Sequence, residues 1–444
     1  MRTPICDFVR DYADARKCRL HMPGHKGNNL VGCERLDITE IDGADSLWEA
    51  NGIIAESEKA AGKLFGVNTF YSTEGSSLCI RAMLYLAMLD AKEKGRALTV
   101  LAGRNAHKSF VSAACLIDLD VRWIESDAQS YLRCTPTPKQ IADLIDGCEQ
   151  VPAAVYLTSP DYLGNMCDIG GIARVCRERG TLLLVDNAHG AYLKFLPKSL
   201  HPMDLGAHMC ADSAHKTLPA LTSAAYLHIN PDCPTEMAQR AKLALSMFGS
   251  TSPSYLVLQS LDATNAYIAD GYAERLARFA PLVEACKVRI GRLGFGIIGD
   301  ECLKITLATK PYGYEGVELA AILSDKGFVC EFSDKDYLVM MLSCDMTASE
   351  LDSLCAAFES VPKLEPIAAV PPTVCTPTRA MSIREAAMSP CERVATWDAV
   401  GRILAAPTVS CPPAVMIVAC GEVIDAAAVD ALMYYGTQEC LVVK

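Results

Sequence analysis

The chain has 444 residues, 51 % hydrophobic and 21 % charged, with a formal net charge of −12. That length supplies core for roughly three domains, and the acidic balance argues against nucleic acid as a partner. Met1–Arg10 lacks the apolar segment of a secretory leader and no apolar run is long enough to span a bilayer, so neither secretion nor a membrane is expected.

Twenty-one cysteines are scattered singly, with no C-x-x-C pair and no histidine cluster at ligand spacing. They read as small core hydrophobes in a reducing cytoplasm, with no metal site.

Residues 1–50 show little periodicity but hold two dense polar motifs. Leu20–Gly27 presents His25 and Lys26 from a Pro-Gly turn, and Asp37–Asp45 carries four carboxylates in nine residues. Singly, each reads as a solvated loop. From Asn51 the spacing of Ile53, Ile54, Ala60, Ala61, Leu64 and Phe65 becomes helical. Thr69–Ser77 then opens onto an amphipathic helix over Leu78–Leu89. A small-residue turn at a helix N-terminus gathers free N–H groups and the positive dipole end, which suits a phosphate; alone, Gly-Ser-Ser is also an ordinary cap.

Strands are expected at Ala97–Ala102, Ala153–Ser159, Thr181–Asp186, Ala207–Ala211 and Ala224–Ile229, with helices ending near Ile117 and spanning Ile169–Arg179. The strands are continuous apolar runs, as in a parallel sheet covered on both faces. His107, Asp186 and Lys216 all fall just beyond strand ends, on the edge where open α/β sheets bind ligands. A lysine matched with a distant strand-end carboxylate suits pyridoxal phosphate. The amine carries the cofactor and the carboxylate keeps the pyridine nitrogen protonated.

Beyond Gly249–Tyr255 one long helical stretch is expected from Tyr255 to Leu293. A compact βαββα unit follows, with strands at Cys302–Leu307, Phe328–Phe332 and Tyr337–Leu342 and helices at Gly316–Lys326 and Ala348–Ser360. Residues 361–377 carry five prolines and read as a linker. In the tail, helices are expected at Ile383–Ala387 and Trp397–Leu404, followed by Val409–Ala414 and a strand. The domain reading is an arm over 1–50, a large cofactor-binding domain over 51–280, a small α+β domain over 281–363, and a linker with a C-terminal domain over 364–444.

Taken together, six motifs resemble the short-form bacterial Orn/Lys/Arg decarboxylases, PLP enzymes of fold type I. They are Pro23–Gly27, Asp37–Glu40, Asn105–Ser109, Val185–Gly190, Ser213–Ala220, and Pro412-Pro413 followed by Gly421-Glu422. The resemblance covers nearly the whole chain, and the Ser-x-His-Lys-Thr-Leu-Pro-Ala string is its most specific part. The chain has no room for the amino-terminal wing domain of the large inducible enzymes. The fold implied is α/β, a mostly parallel sheet covered by helices with smaller α+β C-terminal domains.

The resemblance also implies roles. Lys216 would bind the cofactor covalently, Asp186 would pair with the pyridine nitrogen, and His107 would stack on the ring beside Ala188. Gly75, Ser76, Ser77 and Ser213 would hold the phosphate, with Thr251 or Ser252 reaching a neighbouring subunit's site in a homodimer or higher assembly. The implied reaction is α-decarboxylation of arginine, lysine or ornithine, with His215 or Lys216 returning a proton to Cα. A carboxylate must meet the substrate's distal cation; Glu422, Asp37 and Glu40 are candidates.

Several positions depart from the family pattern. Glu74 precedes the phosphate-binding Gly-Ser where an Asn is usual, Leu47-Trp48-Glu49 replaces a Leu-His or Leu-Tyr segment, Asp161 stands in place of Thr, and Pro-Pro-Ala-Val-Met replaces Pro-Pro-Gly-Ile-Pro. Two other readings stay open. Another fold type I reaction, transamination or aldol cleavage, is disfavoured because residues 294–360 hold no arginine for a substrate carboxylate. A silent regulatory homologue is favoured only by Glu74.

Overall fold

The computed structural model describes residues 1–125, 131–373, 376–407 and 416–444. Among the described residues, seven strands come before residue 230: β1 (Asn68–Ser72), β2 (Thr99–Gly103), β3 (Asp120–Ile124), β4 (Ala154–Thr158), β5 (Leu182–Asp186), β6 (Met209–Asp212) and β7 (Ala225–Ile229). The chain divides into two compact units, each assembled from two separate segments.

The first unit takes Met1–Ala97 and Ile169–Glu274. Its strands run in the order β1-β7-β6-β5. β5 and β6 are parallel, whereas β7 is antiparallel to both β6 and β1. That corrects the expectation for Ala224–Ile229 as one more parallel strand. Its run is fully buried, and burial on both faces makes a strand continuously apolar whichever way its neighbours point. β5, Leu-Leu-Leu-Val-Asp, is buried along its whole length. It delivers Asp186 at its carboxyl end.

The helix after β1 spans Gly75–Glu93, three residues earlier than its apolar pattern. Gly75 has φ +73°, a left-handed turn that a side chain resists. The N-terminal helix Pro4–Asp14 is anchored by a carboxylate far along the chain. Asp262, itself buried, accepts the N–H groups of Ile5 and Cys6 at 2.9 and 3.0 Å, two donors that an isolated helix start leaves unpaired. The expected long helix from Tyr255 is two helices, Tyr255–Ala269 and Tyr272–Arg292. Gly271 breaks it, at φ +76°.

The second unit takes Leu98–Asp168 and Arg275–Lys444. β4, β2 and β3 lie in that order, with β2 parallel to both neighbours. An antiparallel sheet follows in the order Phe332–Ser333, Tyr337–Met341, Lys304–Ala308 and Gly296–Ile298. Helices Gly316–Asp325 and Ala348–Glu359 match expectation, while the strand expected over Phe328–Phe332 shrinks to its last residue and Ser333. The tail forms a two-stranded ribbon, Cys391–Ala395 with Glu439–Val443. The helix expected over Trp397–Leu404 is only a 3₁₀ turn at Thr396–Asp398. After it, Ile403 and Leu404 bridge to Val423 and Val442, so tertiary pairing overrides a weak helical pattern. The Val409–Ala414 segment, with Pro412 and Pro413, lies outside the described residues.

Candidate active site

Within the first unit, two strand ends carry the chemistry the sequence singles out. β6 ends at Asp212, and a single helical turn, Ala214–Thr217, follows with Ser213 at its cap position. That turn carries His215 and Lys216. The Lys216 Nζ lies 3.0 Å from His189 Nε2, and His189 follows Asp186 by three residues beyond β5. Asp186 and His189 are only 2 % and 5 % exposed. Asp186 Oδ1 accepts the Ala188 N–H at 3.2 Å, which turns the carboxylate at the strand end. His215 Nδ1 is bonded to the Ala224 carbonyl at 3.0 Å. A carbonyl only accepts, so Nδ1 carries the proton and Nε2 is the unprotonated nitrogen of the neutral ring.

The expected phosphate cradle is assembled in part. Ser213 Oγ donates to Ser76 Oγ at 2.9 Å, bringing β6's end to the first turn of the Gly75–Glu93 helix. Space opens at Gly75, where an added Cβ would meet no atom within 4 Å. Two hydroxyls at the N-terminus of a 19-residue helix, a buried strand-end carboxylate and a lysine amine form a donor set that fits pyridoxal phosphate.

Thr251 and Ser252 are exposed on the loop after Gly249. That loop is held by two of the residues that depart from the family pattern. Glu74 Oε1 accepts the Ser250 N–H at 2.6 Å, and Trp48 Nε1 donates to the Ser250 carbonyl at 2.9 Å. Gly249 is required beneath the indole, since a Cβ there would fall 2.7 Å from the Trp48 ring. Glu74 is thus engaged with the loop backbone.

In the second unit His107 caps the helix Lys108–Ile117, its Nδ1 accepting from the Ser109 N–H at 3.2 Å and lying 2.8 Å from Ser109 Oγ. The substrate carboxylates fare unequally. Glu422, 3 % exposed, is clamped bidentately by the buried Arg104 guanidinium at 2.6 and 2.8 Å and also accepts the Ala419 N–H. A carboxylate so neutralised acts as a structural ion pair, which weighs against the role of substrate partner expected for it. Asp37, in the first unit, is paired with His25 at 3.2 Å. Glu40 is exposed.

Asp161, one of the departures from the family pattern, is a buried turn-former in the second unit. It accepts from the Leu163 and Asn165 backbone and from the Asn165 side chain, and burial raises its pKa to about 6.

Sequence reading misses His189, although it stands in the quoted Val185–Gly190 motif, and misses Arg104, the partner of Glu422. It also misses a buried polar cluster. Asp212, His201 and His228 are wholly buried together beside Cys210, where no histidine cluster is expected. The alternation along β6 puts Cys210 and Asp212 on one face, but no sequence pattern relates them to His201 or His228.

Comparison with known proteins bears on all of this. Residues 3–290 match the family model for the Orn/Lys/Arg decarboxylase major domain. An arginine decarboxylase of Halalkalibacterium halodurans is 27 % identical over 95 % of this chain and 91 % of its own. The Bacillus subtilis protein YaaO is 29 % identical over 77 % of this chain and 74 % of its own. In fold, the Francisella novicida lysine decarboxylase LdcF superposes with a TM-score of 0.81 at 16 % identity, covering all of this chain and 81 % of that one. The constitutive lysine decarboxylase of E. coli gives 0.80 at 18 %, covering 100 % and 82 %. The architecture is that of PLP fold type I, and the chain belongs to the Orn/Lys/Arg decarboxylase family.

Proposed function

We propose that the protein is a pyridoxal-phosphate-dependent α-decarboxylase of a basic amino acid, acting in the cytoplasm as a homodimer or higher assembly. The observation that carries the reading is one arrangement in the first unit. Lys216 sits on the turn after β6, Asp186 is buried at the end of the parallel neighbour β5, and the Ser76 and Ser213 hydroxyls meet at a helix N-terminus. When bound, the cofactor supplies an electron sink for the pair left on Cα as CO2 departs.

Each residue then has a task. Lys216 holds the cofactor through its amine. Asp186 keeps a proton on the ring nitrogen, and burial strengthens that interaction. Ser76, Ser77, Ser213 and the amide end of the helix take the phosphate. The family resemblance alone gives His107 the stacking role. His215, with Nδ1 committed to Ala224, takes up a proton on Nε2 and as the imidazolium returns it to Cα, alongside Lys216. Thr251 and Ser252, on the clamped loop, reach the phosphate of a second copy.

Four arginine decarboxylases match over 94–95 % of this chain, which favours arginine as the first substrate to try. With Glu422 committed to Arg104, Asp37 and Glu40 remain the carboxylates for the distal cation. The test is borohydride reduction after incubation with pyridoxal phosphate, followed by peptide mass analysis. The reading predicts a stable label on Lys216. Labelling spread over other lysines, or none, contradicts it.

A further inference from the structure

His201, Cys210, Asp212 and His228 place one potential ligand atom each within 4.8 Å of one another. On donor chemistry alone that set suits a divalent ion. The hydrogen bonds describe something else. His201 Nε2 and His228 Nε2 lie 2.9 and 3.2 Å from the same Asp212 Oδ2, while Asn187 Nδ2 donates to Oδ1 at 2.7 Å. A histidine that binds a metal through Nε2 is left with a proton on Nδ1 to donate. His201 Nδ1 instead accepts the Met203 N–H, at 3.4 Å, so its proton is on Nε2 and points at Asp212. His228 Nδ1 faces Thr69 Oγ1 at 2.9 Å, and burial pushes the His228 pKa down, toward the neutral ring.

The result is a buried carboxylate held by neutral donors. Its location gives the anion a purpose. Asp212 immediately precedes Ser213, which bonds Ser76 and begins the turn of Lys216. Asn187 immediately follows Asp186, and its N–H also bonds the Ala211 carbonyl at 3.0 Å. The turn after it is tight, for a Cβ on Gly190 would come 2.1 Å from Asn187 Oδ1. One carboxylate thereby joins the ends of β5 and β6 and ties both to β7 through His228.

Resting on the function proposed above, we infer that Asp212 is a positioning residue for the cofactor: a buried anion, not a metal ligand, that fixes Asp186 relative to Lys216. The experiment combines three readouts on the full chain. In the cofactor-free protein, NMR with nitrogen-labelled histidine is expected to show His201 and His228 as neutral Nε2–H tautomers, and Asp212→Asn is expected to change at least one of them. Titration with pyridoxal phosphate is expected to show affinity reduced by about tenfold or more in Asp212→Asn, by analogy with lost outer-shell partners elsewhere. The pH midpoint of the bound cofactor's visible absorbance is expected to shift as well. Asn187→Ala, which cuts only the bridge toward Asp186, tests the same link if Asp212→Asn does not fold, and is expected to weaken binding in the same direction.

Wild-type affinity and an unmoved midpoint in a folded Asp212→Asn, or in Asn187→Ala, overturn the positioning role alone. So does a stoichiometric metal in the purified wild type that His201→Gln removes. Failure of the wild type itself to take up pyridoxal phosphate overturns both this inference and the function beneath it.

Discussion

Lys216 Nζ stands 3.0 Å from His189 Nε2, which joins the turn after β6 to the turn after β5. The pair is partly buried, where a hydrogen bond between titratable groups is stronger than in water. On the function proposed above, His189 is placed to exchange a proton with the lysine amine whenever that amine is released. Replacing His189 by Ala is expected to lower kcat by about 10²-fold, the lower range for a lost acid–base partner. Binding of pyridoxal phosphate is expected to change far less. Steady-state kinetics beside a cofactor titration separates the two, and loss of binding with kcat preserved would assign His189 to cofactor retention instead.

Arg104 and Glu422 form a buried ion pair in the second unit. Glu422→Ala leaves the guanidinium uncompensated, and breaking such a pair costs about 3–5 kcal/mol. Thermal unfolding is expected to shift down clearly. An unchanged melting temperature with a raised KM would return Glu422 to the role of substrate partner.

Much of the architecture is legible in the sequence because it rests on local signals. β5 is an unbroken apolar run, the helix from Ile53 shows its spacing, and the Ser213–Ala220 string marks the family. What escapes is set by partners distant in the chain. β7 is as apolar as the parallel strands of the sheet, so its direction is not encoded in its composition. Gly271 divides a helical pattern that looks continuous, because one left-handed residue suffices. The helix Pro138–Asp146 is absent from the sequence reading even though Thr137 and Gln140 form a capping box, a signal that was there to be used. Asp212 reads as one residue past a strand, and the fold alone brings His201, His228 and Asn187 to it.

Glu74 and Trp48, the two departures near the cradle, grip the backbone of Ser250 from opposite sides. Glu74→Ala or Trp48→Phe is expected to loosen the loop over 249–252 while leaving global unfolding nearly unchanged. Limited proteolysis checks this, with faster cleavage at the loop expected in each variant. Cleavage at the wild-type rate would contradict the clamp.

His208 gives a pH dependence with a defined sign. Burial first, then the charges of Arg177 and Lys94, lowers its pKa from 6.5 to about 4, while Nδ1 accepts the Leu183 N–H at 2.9 Å. The unfolded chain takes up the proton below about pH 6.5 and the folded chain resists until about 4. Stability is thus complete above 6.5 and falls as pH drops through that window, by up to about 3 kcal/mol. His208→Asn keeps an acceptor for Leu183 and is expected to flatten the profile between those values. Denaturant unfolding at several pH values measures it, and an unchanged slope in the variant would contradict the assignment.

The most direct test of the central claim is CO2 release by the pyridoxal-phosphate-loaded protein with arginine, lysine and ornithine in parallel, using Lys216→Ala as blank. Release from one of the three, abolished in the blank, is the predicted result and names the substrate. No release from any of them, by protein whose Lys216 carries the cofactor, would contradict decarboxylation of a basic amino acid.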